Sequence, residues 1–599
     1  MSGIPQRSEV PQEHKWDLSS LYTEEKKWDE DLELLESKVE TIQSFKGKLG
    51  ESAEKLAEIL EYMNEVGMLE ERLGYFAMLK KSEDASSSEN QARFDRFMRV
   101  ATTVDAAASY QRPEIQAIPD EKMEKFIEHP KLQPFKIFLN KLRRFRPHIL
   151  TEEQEKLLSM QQEANQTAQR TFQSLVDVDL EFGTVKTSDG EEKPLTQSTF
   201  ITFLQDPDRS VRQEAHKKFY QRFEEHKHTL SSLYTGSIQL DIYKARVRNY
   251  PSARAMALFP DKVHESVYDN LVQTIRDNLP ALHRYYSLRK RLLGIEDFAH
   301  FDTRVPLVPE IQVRHSYEEA VDLVTEALQP LGEEYVSTLR SGLVGGWVDR
   351  YENKGKRSGA FSAGSFVGWP YILMNYKEDV LRDVFTLAHE AGHSMHSYYS
   401  SKNNPFQHYD YTIFEAEVAS TFNEQLLNRH LLEKAKEPRM QAYLINKELD
   451  DLVATLFRQT MFAEFEDLVH KHVESGNPAT LDYFRETYGK LLSDYFGPEV
   501  SIDDPVQLEG LRIPHFYRAF YVYKYSTGIS AAISLSKRVL AGGTQELEDY
   551  FSFLKSGGSR FPIESLGAAG VDMSRPEPIQ EAMTHFASRL EQLERLLEA

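Results

Sequence analysis

The residues with the clearest capacity for chemistry are His389, Glu390 and His393, in the pentapeptide His389-Glu390-Ala391-Gly392-His393. On an α-helix, side chains four positions apart differ by about 40° in azimuth and about 6 Å along the axis. Both imidazoles can then reach one metal ion, with Glu390 on the adjoining edge able to reach a water beside it. This is the H-E-x-x-H pattern, by which a helix holds zinc and sets a general base next to it, as in zinc peptidases. So short a pattern also arises by chance, and the surrounding sequence has to supply the helix. It does: Val380, Leu381, Val384, Phe385 and Ala388 recur at helical spacing just upstream, which predicts a helix packed into the protein.

A catalytic zinc site takes three protein ligands and keeps one position open. His396 is the nearest further candidate, but seven residues beyond His389 is about 10 Å along a straight helix. Ligand atoms of one zinc lie within about 2.1 Å of it, so the three histidines cannot share an ion. The longer pattern H-E-x-x-H-x-x-G-x-x-H is absent too, since His396 stands at its glycine and Tyr399 at its last histidine. His396 therefore reads as a neighbour of the site or as a packing residue. Downstream, residues 414–424 read as a second helix with Phe414, Val418 and Phe422 on one face. Glu417 follows His393 by 24 residues, enough for the chain to turn and lay this helix against the first. Spacing leaves two readings of Glu417 open, a third ligand and a solvated helix face.

The elements that must hold these residues read as mostly helical. Leu, Glu, Lys and Ala dominate long periodic stretches, while Gly (29) and Pro (25) are too few to break them. Residues 19–174 read as successive helices, one opening on a capping box at Thr151-Glu152-Glu153-Gln154. The alternating run at 176–182, then the turn Ser188-Asp189-Gly190, suggest a small hairpin near 176–195. Residues 1–200 are read as an N-terminal helical region and 201–599 as the catalytic region. Just before the motif, residues 347–376 also read as strands, with Gly359-Ala360-Phe361-Ser362-Ala363-Gly364 short, small-sided and flanked by glycines. They are either a plain hairpin or an open sheet edge that pairs with an extended peptide backbone.

Composition narrows the partners. With Asp+Glu at 94 against Lys+Arg at 72, the formal net charge is −22, which argues against nucleic acid and against anionic membranes as partners. The absence of cysteine excludes disulfides, thiolate catalysis and thiolate-bound metals, and suits a reducing compartment. The first residues are polar, with no signal-peptide core, and no apolar run is long enough to span a bilayer. The expected setting is cytoplasmic.

Several motifs together resemble a known family, the M3 metallopeptidases, and within it the oligoendopeptidase F group. They are Ser358-Gly359-Ala360-Phe361-Ser362-Ala363-Gly364, Pro370-Tyr371-Ile372-Leu373-Met374-Asn375-Tyr376, and Asp383-Val384-Phe385-Thr386-Leu387-Ala388-His389-Glu390. Trp16-Asp17-Leu18 near the start, and Arg560-Phe561-Pro562 with Ala569-Gly570-Val571-Asp572-Met573 near the end, are similar as well, so the likeness spans nearly the whole chain. The resemblance implies a mainly α, two-lobed helical metallopeptidase fold with a deep central channel and a small β-sheet next to the zinc helix. Its E-x-x-S segment matches Glu417-Val418-Ala419-Ser420, which makes Glu417 the third ligand of one Zn2+ beside His389 and His393. It also implies a transition-state clamp from a histidine and tyrosines, matched by His515, by Tyr523 counting back from Ser526, and second by Tyr521. The stretch is shorter here than in thimet-type relatives. The implied activity is hydrolysis of internal bonds in short unstructured peptides, with Glu390 as base. The alternatives are a zinc carboxypeptidase or dipeptidyl-carboxypeptidase, for which Arg512 and Arg518 are nearby cations, and a non-catalytic helical peptide-binding protein.

Overall fold

Helical periodicity becomes helix over most of the chain in the computed structural model, which describes residues 3–309, 311 and 313–598. The protein is mainly α, as its composition suggested. The capping box forms as expected: the Thr151 side chain accepts from the Gln154 N–H and Gln154 reciprocates, starting the helix Glu152–Met160. Among the described residues there are five short strands: β1 (Thr184–Lys186), β2 (Glu192–Pro194), β3 (Val348–Asp349), β4 (Phe361–Ala363) and β5 (Tyr371–Leu373). No described helix is long and apolar enough to cross a membrane.

The chain forms two compact units, each assembled from three stretches. The first comprises residues 1–146, 312–431 and 535–571, the second 147–311, 432–534 and 572–599. In the first, Trp16, Trp28, Leu73 and Phe76 form an apolar core with Tyr371 and Leu373 of β5. β5 lies at the centre of a three-stranded sheet, parallel to β3 and antiparallel to β4, with Ser362 opposite Ile372. Its three residues are all buried, so it reads as an unbroken apolar run and not as an alternation. β4 is left at the edge, paired on one side only.

The second unit contains the hairpin of β1 and β2, with Val185 opposite Lys193 and Gly190 in the left-handed region of the turn. The alternating residues 176–182, expected as its first strand, are not paired. They begin in a single π-helical turn, Leu175–Asp179, and pairing starts at Thr184. The alternation has another cause: Leu180 and Phe182 are buried, the latter stacked on Phe219 at 4.7 Å, while Glu181 faces solvent. The same unit holds a buried charge cluster in which Glu509 pairs with Arg458 and Arg512, each at 2.8 Å, and accepts from Tyr488.

Candidate metal centre and active site

The motif lies within the helix Leu381–Asn403, whose Leu387, Ala388, Ala391 and Met395 are fully buried. Only a narrow strip of this helix is open, and His389 and His393 occupy it, with side chains 24% and 18% exposed. The next long helix, Ile413–Lys434, crosses it in backbone contact. A Cβ on Gly392 would stand 2.5 Å from the Ala419 carbonyl oxygen and 2.6 Å from Ser420 Cα, and backbone cannot step aside as a flexible side chain can. On another face, a Cβ on Gly364, just past β4, would stand 2.2 Å from Ser397 Cβ of the motif helix. Two missing side chains thus let the second helix and the sheet edge close on the motif. Gly392→Ala is expected to cost about 1–3 kcal/mol, as overpacking does, and to weaken metal binding by pushing Glu417 away. Thermal unfolding and zinc titration check this, and no change in either would remove the role.

The crossing brings the expected donors together. Glu417 Oε2 lies 3.4 Å from His389 Nε2 and 3.7 Å from His393 Nε2. One ligand atom from each of the three residues falls within 4.8 Å of the others, and they are the one such group of three or more among the described residues. Ser420 Oγ donates to Glu417 Oε2 at 3.2 Å, which gives the E-x-x-S spacing a physical purpose: a serine one turn on holds the carboxylate.

A further residue, which the sequence reading left without a role, is Glu424. Its Oε1 accepts from His389 Nδ1 at 2.6 Å, which holds a proton on Nδ1 and turns Nε2 toward the other donors. The signal was available, since Glu424 lies seven residues, or two turns, after Glu417 on the same face. Burial alone would lower the His389 pKa, but Glu424, followed by Glu390 and Glu417, raises it to about 9. His393 behaves oppositely, pushed down to about 3 by burial and then by the charge of His389, which keeps it a neutral lone-pair donor. Glu424→Ala is expected to lower zinc affinity by about 10- to 100-fold, the usual effect of losing such a partner. Competition with a chelator measures it.

Glu390 is 7% exposed, and the backbone of Ser362 in the sheet-edge strand is among the groups that act on its carboxyl. Ser362 Oγ also meets Ser394 Oγ of the motif helix at 2.8 Å. Burial, reinforced by the charge of Glu417 against that of His389, raises the Glu390 pKa to about 7. The open strand edge and a carboxylate of neutral pKa are therefore neighbours. His396 is fully buried and stacked on Tyr411 at 3.7 Å, with neither ring nitrogen hydrogen-bonded, so it is a packing residue.

His515 lies in the second unit, in the short turn Pro514–Tyr517. Tyr521 stacks parallel to it at 6.3 Å and Tyr525 stands edge-on at 6.2 Å, the two phenols 3.4 Å apart. Of the two tyrosines expected with the histidine, Tyr521 accompanies it and Tyr523 does not. Tyr523 is 0% exposed, its ring 5.3 Å from Tyr268, and burial raises its pKa well above the usual phenol value. Tyr525 was missed, although it lies four residues after Tyr521. The helix Tyr523–Ala541 starts at Tyr523 and turns that side chain into the core.

Two imidazoles and a carboxylate round one point, with a buried glutamate beside them, are the donor set of a metallopeptidase centre. Comparison with known proteins gives the family. Residues 202–585 match the model of peptidase family M3, and residues 114–182 match that of oligopeptidase F. An oligoendopeptidase F homolog from Borreliella burgdorferi is 40% identical over 593 residues, covering 99% of this chain and 100% of the relative. The crystal structure of oligoendopeptidase-F from Enterococcus faecium superposes with a TM-score of 0.74 at 35% identity, covering 96% of this chain and 99% of that one. A solved structure from Chlamydophila abortus gives 0.94 at 34% identity, covering 99% and 100%. The chain belongs to peptidase family M3 and is a metalloendopeptidase.

Proposed function

We propose that this protein is a zinc-dependent oligoendopeptidase that hydrolyses internal bonds of short unstructured peptides, with Glu390 as general base. The observation that carries the reading is the convergence of His389, His393 and Glu417 beside the buried Glu390. Two imidazoles and one carboxylate, with one imidazole fixed by Glu424, suit a zinc ion that keeps a position open for chemistry. Bound there, zinc supplies Lewis acidity, polarising a carbonyl oxygen and bringing the pKa of water toward neutrality. Glu390 takes a proton from the attacking water as its oxygen bonds to the scissile carbon. The carboxyl group holds that proton and passes it to the leaving nitrogen as the C–N bond breaks. The edge of β4 offers backbone groups to an extended peptide, which binds chain without selecting side chains.

The oxyanion-donor role goes to His515 with Tyr521 and Tyr525. Tyr523, expected there from the resemblance, supports this segment from the core. Arg512 is held by the buried Glu509 and so is not available to a substrate C-terminus, while Arg518 lies over the Tyr521 ring. The negative charge and the cysteine-free sequence fit a cytoplasmic peptidase with peptide partners, and not nucleic acid or membrane.

An internally quenched peptide of about ten residues, blocked at both ends, tests the proposal, at a length typical of a cleft-bound peptide. An internal cut, located by product masses, is the expected result. No cut by zinc-loaded protein would overturn it in favour of an exopeptidase or a binding protein.

A further inference from the structure

The second unit contains a cavity of about 470 Å³ that takes no part in the chemistry above. Its volume is that of a small-molecule site. One wall is the helix Lys227–Val247, which contributes Asp241 and Lys244, one turn apart. Facing groups include the amides of Gln162, Asn165 and Gln166, and the Tyr517 phenol. The charges divide simply. Arg248, also in the lining, is neutralised by a two-pronged pair with Glu155 at 2.8 Å on both sides. That leaves one carboxylate and one ammonium.

Asp241 is the deeper of the two, its side chain 15% exposed, while Lys244 is exposed. Asp241 Oδ2 is buried without a hydrogen bond among the described residues, and the buried His470 Nε2 stands 3.6 Å from it, at ion-pair distance but beyond hydrogen-bond range. The Tyr517 hydroxyl is likewise buried and unbonded. A carboxylate inside and an ammonium outside, with neutral amides also in the lining, complement a ligand that carries an ammonium, a carboxylate and a peptide bond. Side-chain amides both donate and accept, as the peptide bond requires.

We propose that this cavity binds a short peptide with free ends, two or three residues long, its N-terminal ammonium on Asp241 and its C-terminal carboxylate on Lys244. Such a ligand has the chemistry of a small product of peptide hydrolysis, so the site's occupant is of the class the proposed reaction releases. Tyr517 stands in the same turn as His515.

Calorimetric titration of the zinc-loaded full chain with alanyl-alanine, and separately with its N-acetylated, C-amidated analogue, tests the site. Binding of the free dipeptide but not of the blocked one is expected. Asp241→Asn and Lys244→Gln should each weaken binding by about tenfold or more, as expected for loss of a charge-assisted contact. Both variants should still cleave the quenched peptide like wild type. Equal binding of the two probes, unchanged binding in the variants, or no binding at millimolar dipeptide would overturn the proposal. If Asp241→Asn fails to fold, Lys244→Gln, at an exposed position, decides the matter alone. The readout is heat of binding, so its failure leaves the hydrolytic assignment standing, and a failure to cleave peptides leaves this site testable.

Discussion

Glu390→Gln is expected to lower kcat/KM on the blocked peptide by roughly 10³- to 10⁴-fold while the protein keeps its zinc. The amide is nearly the same shape and the site is buried, so the side chain has no reason to move. What it loses is the capacity to take a proton. Burial raises the carboxyl to a pKa of about 7, a base strong enough to deprotonate acidified water and an acid strong enough to release the proton afterwards. Because Glu390 donates no atom to the group formed by His389, His393 and Glu417, metal content should not change. The decisive pair of measurements is turnover and zinc per chain on one preparation. Near-wild-type hydrolysis with zinc retained would assign the base elsewhere.

How much of this was legible in the sequence depended on how local each feature is. The motif helix was legible because metal ligation forces its spacing onto five consecutive residues and apolar periodicity marks its packed face. Glu417 was half legible: spacing could not separate a ligand from a solvated helix face, and only the match to E-x-x-S pointed to the histidines beside which the structure sets it. Glu424 stayed hidden because acidic residues two turns apart are ordinary on helices, and what distinguishes this one is a contact with His389, 35 residues earlier in the chain. The tyrosines failed for a subtler reason. Which of Tyr521, Tyr523 and Tyr525 accompanies His515 depends on where the helix begins, and helix starts are poorly marked without a capping signal. The hairpin strand was displaced because alternation reports one-sided burial, which an unpaired extended segment satisfies as well as a strand. The two units leave no local mark at all, since each gathers three separated stretches and no change of composition sits at their joins.

Glu417→Ala should fail at the other step. Removing one of three donors is expected to reduce zinc affinity by more than about 100-fold, beyond the 10- to 100-fold range of a supporting partner such as Glu424. Hydrolysis should fall with occupancy. Truncation leaves the His389–Glu424 hydrogen bond in place, so the two imidazoles remain oriented, but the carboxylate that Ser420 holds toward them is gone. The comparison with Glu390→Gln separates binding from chemistry. Added zinc should recover part of the activity of Glu424→Ala and little of that of Glu417→Ala, and it should do nothing for Glu390→Gln, whose metal is already bound. A Glu417→Ala protein that retained its full zinc would move the third ligand to another carboxylate. Glu424, 2.6 Å from the His389 ring, would be the first to examine, and its role would then change from orienting the histidine to holding the ion.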